Sequence, residues 1–244
     1  MPIGLIAGQS NVSAFGATAA IPYTPTATVQ IWTDVNHNGH WDYGDNFNML
    51  VPGVNTGTFA RPTGQGAEVG IAKAWLAAGS PGGMLWLGKS AKGETTIVQN
   101  GGLDWSPQSD GEMFDEAAFL AACMRANLGV TQLDVVFWME GETAATSAGL
   151  AAAYTAALAD FLPAVRAEWM NDANGHVVLG RIGDEAAMPY SLEVRQAQWQ
   201  ADQIDANLES FKTIGMDRLP GGDVHLSSLG EQQLGQAFVD TWLF

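Results

Sequence analysis

The run Leu133-Asp134-Val135-Val136-Phe137-Trp138-Met139, followed at once by Glu140-Gly141-Glu142-Thr143, decides the fold class. Its residues are apolar at every position but Asp134, so no polar face alternates with an apolar one. A strand of that composition is covered on both sides, as in the middle of a parallel sheet between two helical layers. The abrupt change to glycine and carboxylates after Met139 marks the strand's carboxyl end, where ligands gather in open α/β sheets.

The flanking sequence keeps the same rhythm. Gly4 to Ala7 is a short apolar run that stops at Gly8-Gln9-Ser10-Asn11, and Val29 to Trp32 alternates like a strand. Glu68 to Ala78 has helical spacing and ends at Gly79; Met84 to Leu87 reads as a strand before a Gly/Lys/Ser loop. Asp115 to Asn127 reads as a helix, with Asp115 near its N-cap and Gly129 past its end. Ser147 to Met170 is an Ala-rich helix that Pro163 should kink or divide. Val177 to Ile182 is a buried-type strand, Glu193 to Leu208 a helix, Phe211 to Gly215 a short strand and Leu229 to Leu243 a closing helix. Strands separated by helices imply βαβ units, hence a three-layer α/β/α sandwich around a mostly parallel sheet. One domain over residues 1–244 is expected, with a decorated loop region at about 33–66, since Gly39 to Gly66 lacks helical periodicity.

Composition narrows the function. Hydrophobic residues make up 47% and charged residues 15% of the 244-residue chain, which excludes intrinsic disorder. A net charge of −16 repels polyanions at long range, so neither nucleic acid nor an anionic membrane is an expected partner. The N-terminus lacks a basic n-region and a long apolar core, and no stretch reaches the ~18 uninterrupted apolar residues of a membrane span. A soluble protein without signal peptide or transmembrane segment is therefore expected. The single cysteine, Cys123, makes no internal disulfide and lies in an apolar run, where it reads as a small buried hydrophobe.

Four short elements fall where such a fold places chemistry. Ser10 follows the first strand, Gly93 follows Met84–Leu87, Glu140-Gly141-Glu142 follows the central strand, and Asp223-Val224-His225 precedes the last helix. Together they supply a hydroxyl, small-residue amides, carboxylates and an imidazole, the parts of a serine hydrolase. Each alone has a plainer reading as turn chemistry, as a satisfied imidazole, or as a residue opening a helical turn.

The set and its order resemble the SGNH (GDSL-like) hydrolases, and within them the sialate O-acetylesterase and carbohydrate-acetylesterase branch. The likeness rests on GQSN at Gly8–Asn11, KSAKGETT at Lys89–Thr96, WMEGET at Trp138–Thr143 and DVHLSSLGE at Asp223–Glu231. It implies a flavodoxin-like SGNH fold, with Ser10 as nucleophile and His225 as general base. Asp223 would orient His225, and the amide of Gly93 would join that of Ser10 in an oxyanion hole. Glu142 matches a glutamate that supports the histidine in some members, so both carboxylates stand as candidates. Gln9, Asn11, Glu140 and Trp105 are the expected substrate-binding residues.

The sequence departs from the branch at Glu140, where a glutamine usually stands. An ionised glutamate donates no hydrogen bond, and losing one oxyanion donor costs about 2.7–4 kcal/mol. Either Glu140 is held protonated, or it points elsewhere and the amides of Ser10 and Gly93 do the work.

Two further features stand apart from catalysis. Asp34, Asn36, Asn38, His40, Asp42 and Asp45 lie in a loop with EF-hand-like oxygen spacing and Gly39 at its turn, a candidate calcium site supporting the loop. Asp45 stands where a longer glutamate is usual, and the plainer reading is an Asn/Asp/Gly hairpin. Trp41, Tyr43 and Trp105 lie in polar, loop-like surroundings and are candidates to stack on a sugar ring, or else loop-packing anchors.

The resulting expectation is a serine esterase that removes acetyl or another short acyl group from a carbohydrate hydroxyl through an acyl-enzyme, with no organic cofactor. The rivals are a carbohydrate-binding or virion-type structural module with a weakened site, and an esterase of the same superfamily acting on a non-sugar ester. Oligomeric state is left open.

Overall fold

The computed structural model describes residues 1–13, 15, 22–34, 41–56 and 64–243. Among them, seven strands form one sheet: β1 (Ile3–Gly8), β2 (Val29–Thr33), β3 (Asn46–Met49), β4 (Leu85–Ala91), β5 (Val135–Met139), β6 (His176–Arg181) and β7 (Leu208–Lys212). Their spatial order is β3-β2-β4-β1-β5-β6-β7, so β1 is central, and every pairing is parallel except β2 with β3.

Both faces of the sheet are covered, as the unbroken apolar run of β5 requires. Val136 and Trp138 pack with helices α2 (Met113–Leu128), α3 (Ala148–Ala164) and α4 (Ser191–Ile204). Val135, Phe137 and Met139 pack on the other side with α1 (Ala67–Ala77) and α5 (Ser228–Leu243). This is the expected α/β/α sandwich. Four of the largest fully buried side chains are Trp75, Trp105, Trp138 and Trp169, and the last three pack on one another beneath α2 and α3.

The observed elements depart from the sequence expectations in instructive places. The region expected as a decorated loop contains β3, whose residues pair antiparallel with Gln30 to Thr33 at the sheet edge. β4 runs on to Ala91, so Lys89 and Ser90 are buried strand residues, and Lys89 pairs with Glu68 at 2.8 Å. The helix expected to reach Leu208 ends at Ile204, and Leu208 instead opens β7. Pro163 does not divide its helix; α3 continues into a π-type turn over Val165–Met170. That continuous Ala148–Met170 stretch is the one helix among the described residues long and apolar enough to cross a membrane, yet Tyr154, Leu158, Phe161 and Leu162 bury its inner face in the core. Cys123 is buried, and its burial, with Asp45 and Asp42 nearby, pushes the thiol up to about 11, so it stays protonated.

Candidate active site

The site is built where β1, β4 and β5 end. At the close of β1 the backbone of Gly8 adopts φ +145°, and a side chain there would meet the Met139 carbonyl at 1.9 Å. Only glycine permits that approach. The Gln9 amide donates to the same carbonyl at 3.1 Å, and the chain then coils into one helix-like turn, with the amides of Val12 and Ser13 each donating to the Gln9 carbonyl at 2.9 Å. Ser10 therefore sits at the start of a tight turn, at the mouth of the sheet.

Ser10 borders a cleft of about 430 Å³ whose walls include Gln9, Phe15, Lys92, Gly93, Glu142, Thr143, Met188 and His225. Gly93 comes against it: a methyl group at Gly93 would stand 3.5 Å from Ser10 Cβ. Among the described residues, neither the Ser10 nor the Gly93 amide donates a hydrogen bond within the chain. Two adjacent, uncommitted N–H donors beside a hydroxyl are what a developing oxyanion needs. Glu94, next in sequence, holds φ +65°, a conformation rare outside glycine and asparagine that concentrates at functional turns.

Across the cleft, Asp223 holds His225 twice. Its Oδ1 accepts the His225 backbone N–H at 2.9 Å and lies 2.6 Å from His225 Nδ1. The backbone hydrogen bond from His225 is the main reason the Asp223 carboxyl is held below its ordinary range, with the His225 ring adding to it against a smaller burial effect. Ionised at neutral pH, Asp223 has no proton to give, so Nδ1 must be the donor and Nε2 is left as the basic nitrogen. Phe15 stacks on the imidazole with ring centroids 4.2 Å apart, fixing its plane.

Glu142 is not bonded to His225. It is buried, and its Oε1 accepts a 2.6 Å hydrogen bond from the Asn11 amide. Burial pushes its carboxyl up, while the Asn11 bond and the Arg218 and His225 charges pull it back. Of the two candidate carboxylates, Asp223 is the one that makes the imidazole contact.

Three of the residues expected to bind substrate are placed otherwise. Asn11 is fully buried: its Nδ2 also donates to the Val224 carbonyl at 3.2 Å and its Oδ1 accepts the Leu226 amide at 2.8 Å. It cross-links three loops instead of facing the cleft. Glu140 is fully buried behind the β5 loop, its Oε2 3.1 Å from the Tyr154 hydroxyl and its carbonyl bonded by the Gln198 amide at 2.8 Å. Burial, then the Glu142 charge, push its carboxyl up, which favours the protonated form, and the side chain is turned away from the cleft. Trp105 is fully buried, its indole N–H donating to Thr95 Oγ1 at 2.8 Å and its ring packed edge-on to Trp138; no sugar can reach it. Gln9 does border the cleft.

Sequence reading missed Phe15 and Arg218. Arg218 pairs with Glu185 and donates from Nη1 to the Val224 carbonyl at 2.5 Å, while the Leu219 amide donates to the His225 carbonyl at 3.0 Å. These bonds brace the Asp223–His225 turn. Neither Trp41, half-buried against the core, nor Tyr43, exposed and edge-on to Phe119, borders the cleft.

The candidate calcium loop falls partly outside the described residues, which omit Asn36, Asn38 and His40. Asp45 is buried and its Oδ2 accepts the Asp42 amide at 2.9 Å; Asp42 Oδ1 accepts the Gly44 amide at 2.6 Å. These are the bonds of a self-capped turn. Among the described residues no cluster of three or more His, Cys, Asp or Glu is arranged to hold a metal.

A mostly parallel sheet with a serine after its central strand and an Asp-x-His before its last helix is the arrangement of the SGNH-type fold. The family comparison is in accord: residues 1–243 match the carbohydrate esterase family of sialic acid-specific acetylesterases, and the chain belongs to it. The fold is shared with a protein from Arabidopsis thaliana (16% identity, TM-score 0.78, 99% of this chain and 97% of that one). It is shared also with a carbohydrate acetylesterase from Xanthomonas citri (16%, 0.64, 97% and 55%) and with NanS (16%, 0.62, 99% and 97%). No curated protein matches the chain in sequence.

Proposed function

We propose that the protein is a serine esterase that removes acetyl groups from carbohydrate hydroxyls. Ser10 attacks the ester carbonyl while His225 Nε2 takes its proton; the Ser10 and Gly93 amides stabilise the oxyanion, and the protonated imidazole hands the proton to the departing sugar alcohol. Water, deprotonated by His225, then releases acetate from Ser10. The observation that carries this reading is the doubly held Asp223–His225 pair on the cleft that Ser10 and Gly93 also line.

Membership of a carbohydrate esterase family supports the sugar ester as substrate, and a cleft of about 430 Å³ falls in the ~300–1,000 Å³ range of small-molecule sites. The acid and alcohol products need no redox partner, so the reaction is complete with water alone. Ser10→Ala tests the reading. Turnover of p-nitrophenyl acetate should fall by several orders of magnitude, with an unchanged melting curve because the hydroxyl is not part of the core. Retention of more than about a tenth of wild-type turnover, a cost under ~1.4 kcal/mol, would refute Ser10 as nucleophile. A panel of acetylated sugars against longer acyl esters then separates sugar acetylesterase from non-sugar esterase.

A further inference from the structure

The chain carries only ten Lys and Arg residues, and three of them meet at one place away from the catalytic serine. A small pocket of about 150 Å³ is lined by Arg181, Arg195 and Lys212 together with Ile182, Leu192, Gln196, Trp199 and Ile214. Arg181 ends β6, Lys212 ends β7, and the two are register partners on neighbouring strands. Like charges set side by side across strands oppose folding, and an anion between them would relieve that repulsion.

The acidic groups nearby offset the trio only in part. Asp184 reaches Arg195 only at 3.8 Å and is itself more than half exposed. Asp202, which lies near Arg181, is engaged by the Ser210 hydroxyl at 2.7 Å. Arg181 Nε is buried with no hydrogen-bond acceptor among the described residues, and Lys212 makes no ion pair among them. By contrast Lys89, Arg166 and Arg218 are each paired with a carboxylate.

An apolar platform lies beside the cations. Leu192, Arg195, Gln196 and Trp199 fall at i, i+3, i+4 and i+7 of α4, on a single helix face. Trp199 is 48% exposed, Leu192 58% and Ile214 40%, a grouping of large apolar side chains that water alone does not explain. An indole beside guanidinium forks and a carboxamide suits a ring that has an apolar C–H face, hydroxyls and one carboxylate. The long-range repulsion of a chain at −16 disfavours a polyanionic ligand and leaves a single acidic unit.

The pocket adjoins the catalytic loops through Gln198, the residue before Trp199. Its amide oxygen accepts the Ile182 N–H at 3.1 Å and its nitrogen donates to the Glu140 carbonyl at 2.8 Å, so the end of β6 and the β5 loop share one clip.

We propose that this pocket is an accessory subsite for a carboxylated sugar, with the carboxylate on Arg181, Arg195 and Lys212 and the ring on Trp199. The site stands on its own residues, whether or not Ser10 is the nucleophile. The test titrates glucuronate, glucose and acetate into the full chain by calorimetry and saturation-transfer NMR, with wild type, Trp199→Ala and Lys212→Gln compared at low and at 0.5 M salt. Glucuronate should bind wild type, weaken at least tenfold in either variant, and weaken with salt as exposed charges are screened; glucose and acetate should each bind at least tenfold more weakly. Lys212→Gln changes only an exposed side chain, so its result holds even if Trp199→Ala melts early. p-Nitrophenyl acetate turnover should stay within twofold of wild type in both variants. No binding of glucuronate to wild type, acetate bound as tightly as glucuronate, or unchanged glucuronate affinity in Lys212→Gln would each overturn the subsite. An inactive wild type that nonetheless binds glucuronate in this pattern would refute the esterase reading and leave the subsite intact.

Discussion

Replacing Asp223 by asparagine separates the two carboxylates that compete for His225. The change keeps the side chain's shape and removes the charge that accepts both the His225 N–H at 2.9 Å and the Nδ1 proton at 2.6 Å. A hydrogen bond to a charged group is worth about 1.5–3 kcal/mol, which sets a loss in kcat/KM of roughly 10- to 150-fold. A fully buried triad aspartate is worth about 10⁴-fold, but the Asp223 side chain is 37% exposed, so solvent carries part of the charge and the smaller range applies. Glu142→Gln should act differently. It exchanges the carboxylate acceptor of the 2.6 Å Asn11 bond for a neutral amide oxygen and weakens a loop cross-link, so its main effect is on stability. The assay is p-nitrophenyl acetate turnover across pH for both variants beside urea melts. Asp223 titrates below the usual carboxylate range, so its support for His225 is present at neutral pH and disappears only as pH falls through that lowered value. A larger activity loss from Glu142→Gln than from Asp223→Asn, or a loss under threefold in the latter, would refute this assignment.

Asn11→Ala leaves the Glu142 Oε1 and the Leu226 amide without their partner and removes one of two donors to the Val224 carbonyl, so a loss of about 3 kcal/mol in the urea midpoint analysis is expected, with activity falling alongside; a loss below 1 kcal/mol would contradict the cross-link. Glu140→Gln puts an uncharged amide where burial favours the protonated carboxyl and should leave activity within about threefold at neutral pH. Because the Glu140 carboxyl is raised in the fold, its contribution is complete below the unfolded value and is lost as pH rises through the folded one. The variant's stability relative to wild type should therefore improve toward alkaline pH, and a flat difference would show Glu140 to be ionised. For the loop from Asp34 to Asp45, calcium at a hundredfold excess over Kd would stabilise the fold by roughly 2.7 kcal/mol, so EDTA should lower the melting temperature and calcium restore it; indifference to both favours the hairpin.

What could be read from the sequence was set by distance along the chain. The strand Leu133–Met139 and the glycine before Ser10 were legible because their constraint is local: a doubly covered strand is apolar throughout, and a φ of +145° demands glycine. Asp223 and His225 were legible because two residues of spacing suffice to join them. Asn11 was misread because its partners lie 131, 213 and 215 residues away, and nothing near Gly8–Asn11 announces them. Trp105 was misread for the opposite reason. Its neighbours look like a loop because Asp104 uses its carboxylate to accept the Ser106 amide at 2.9 Å and the Asn100 amide at 3.2 Å, folding the segment over the core with the indole inward. β3 escaped notice since Asn46 and Asn48 are poor strand formers and only Phe47 of its four residues is buried.

The Asn11 cross-link also carries a temporal consequence. The turn bearing Ser10 and the turn bearing His225 are tied by a hydrogen bond that spans 215 residues. At a synthesis rate of roughly 5–20 residues per second, about 10–40 s separate the making of Ser10 from the making of His225. β4 and β5, the two strands between which β1 lies in the finished sheet, are made within that interval, well before the clip. A ribosome-bound chain halted before His225 has Ser10 but neither base nor Leu226 clip, and so carries an unactivated hydroxyl. Closure of the Asn11–Leu226 clip thus arrives as one late event, timed by translation of the turn before the final helix.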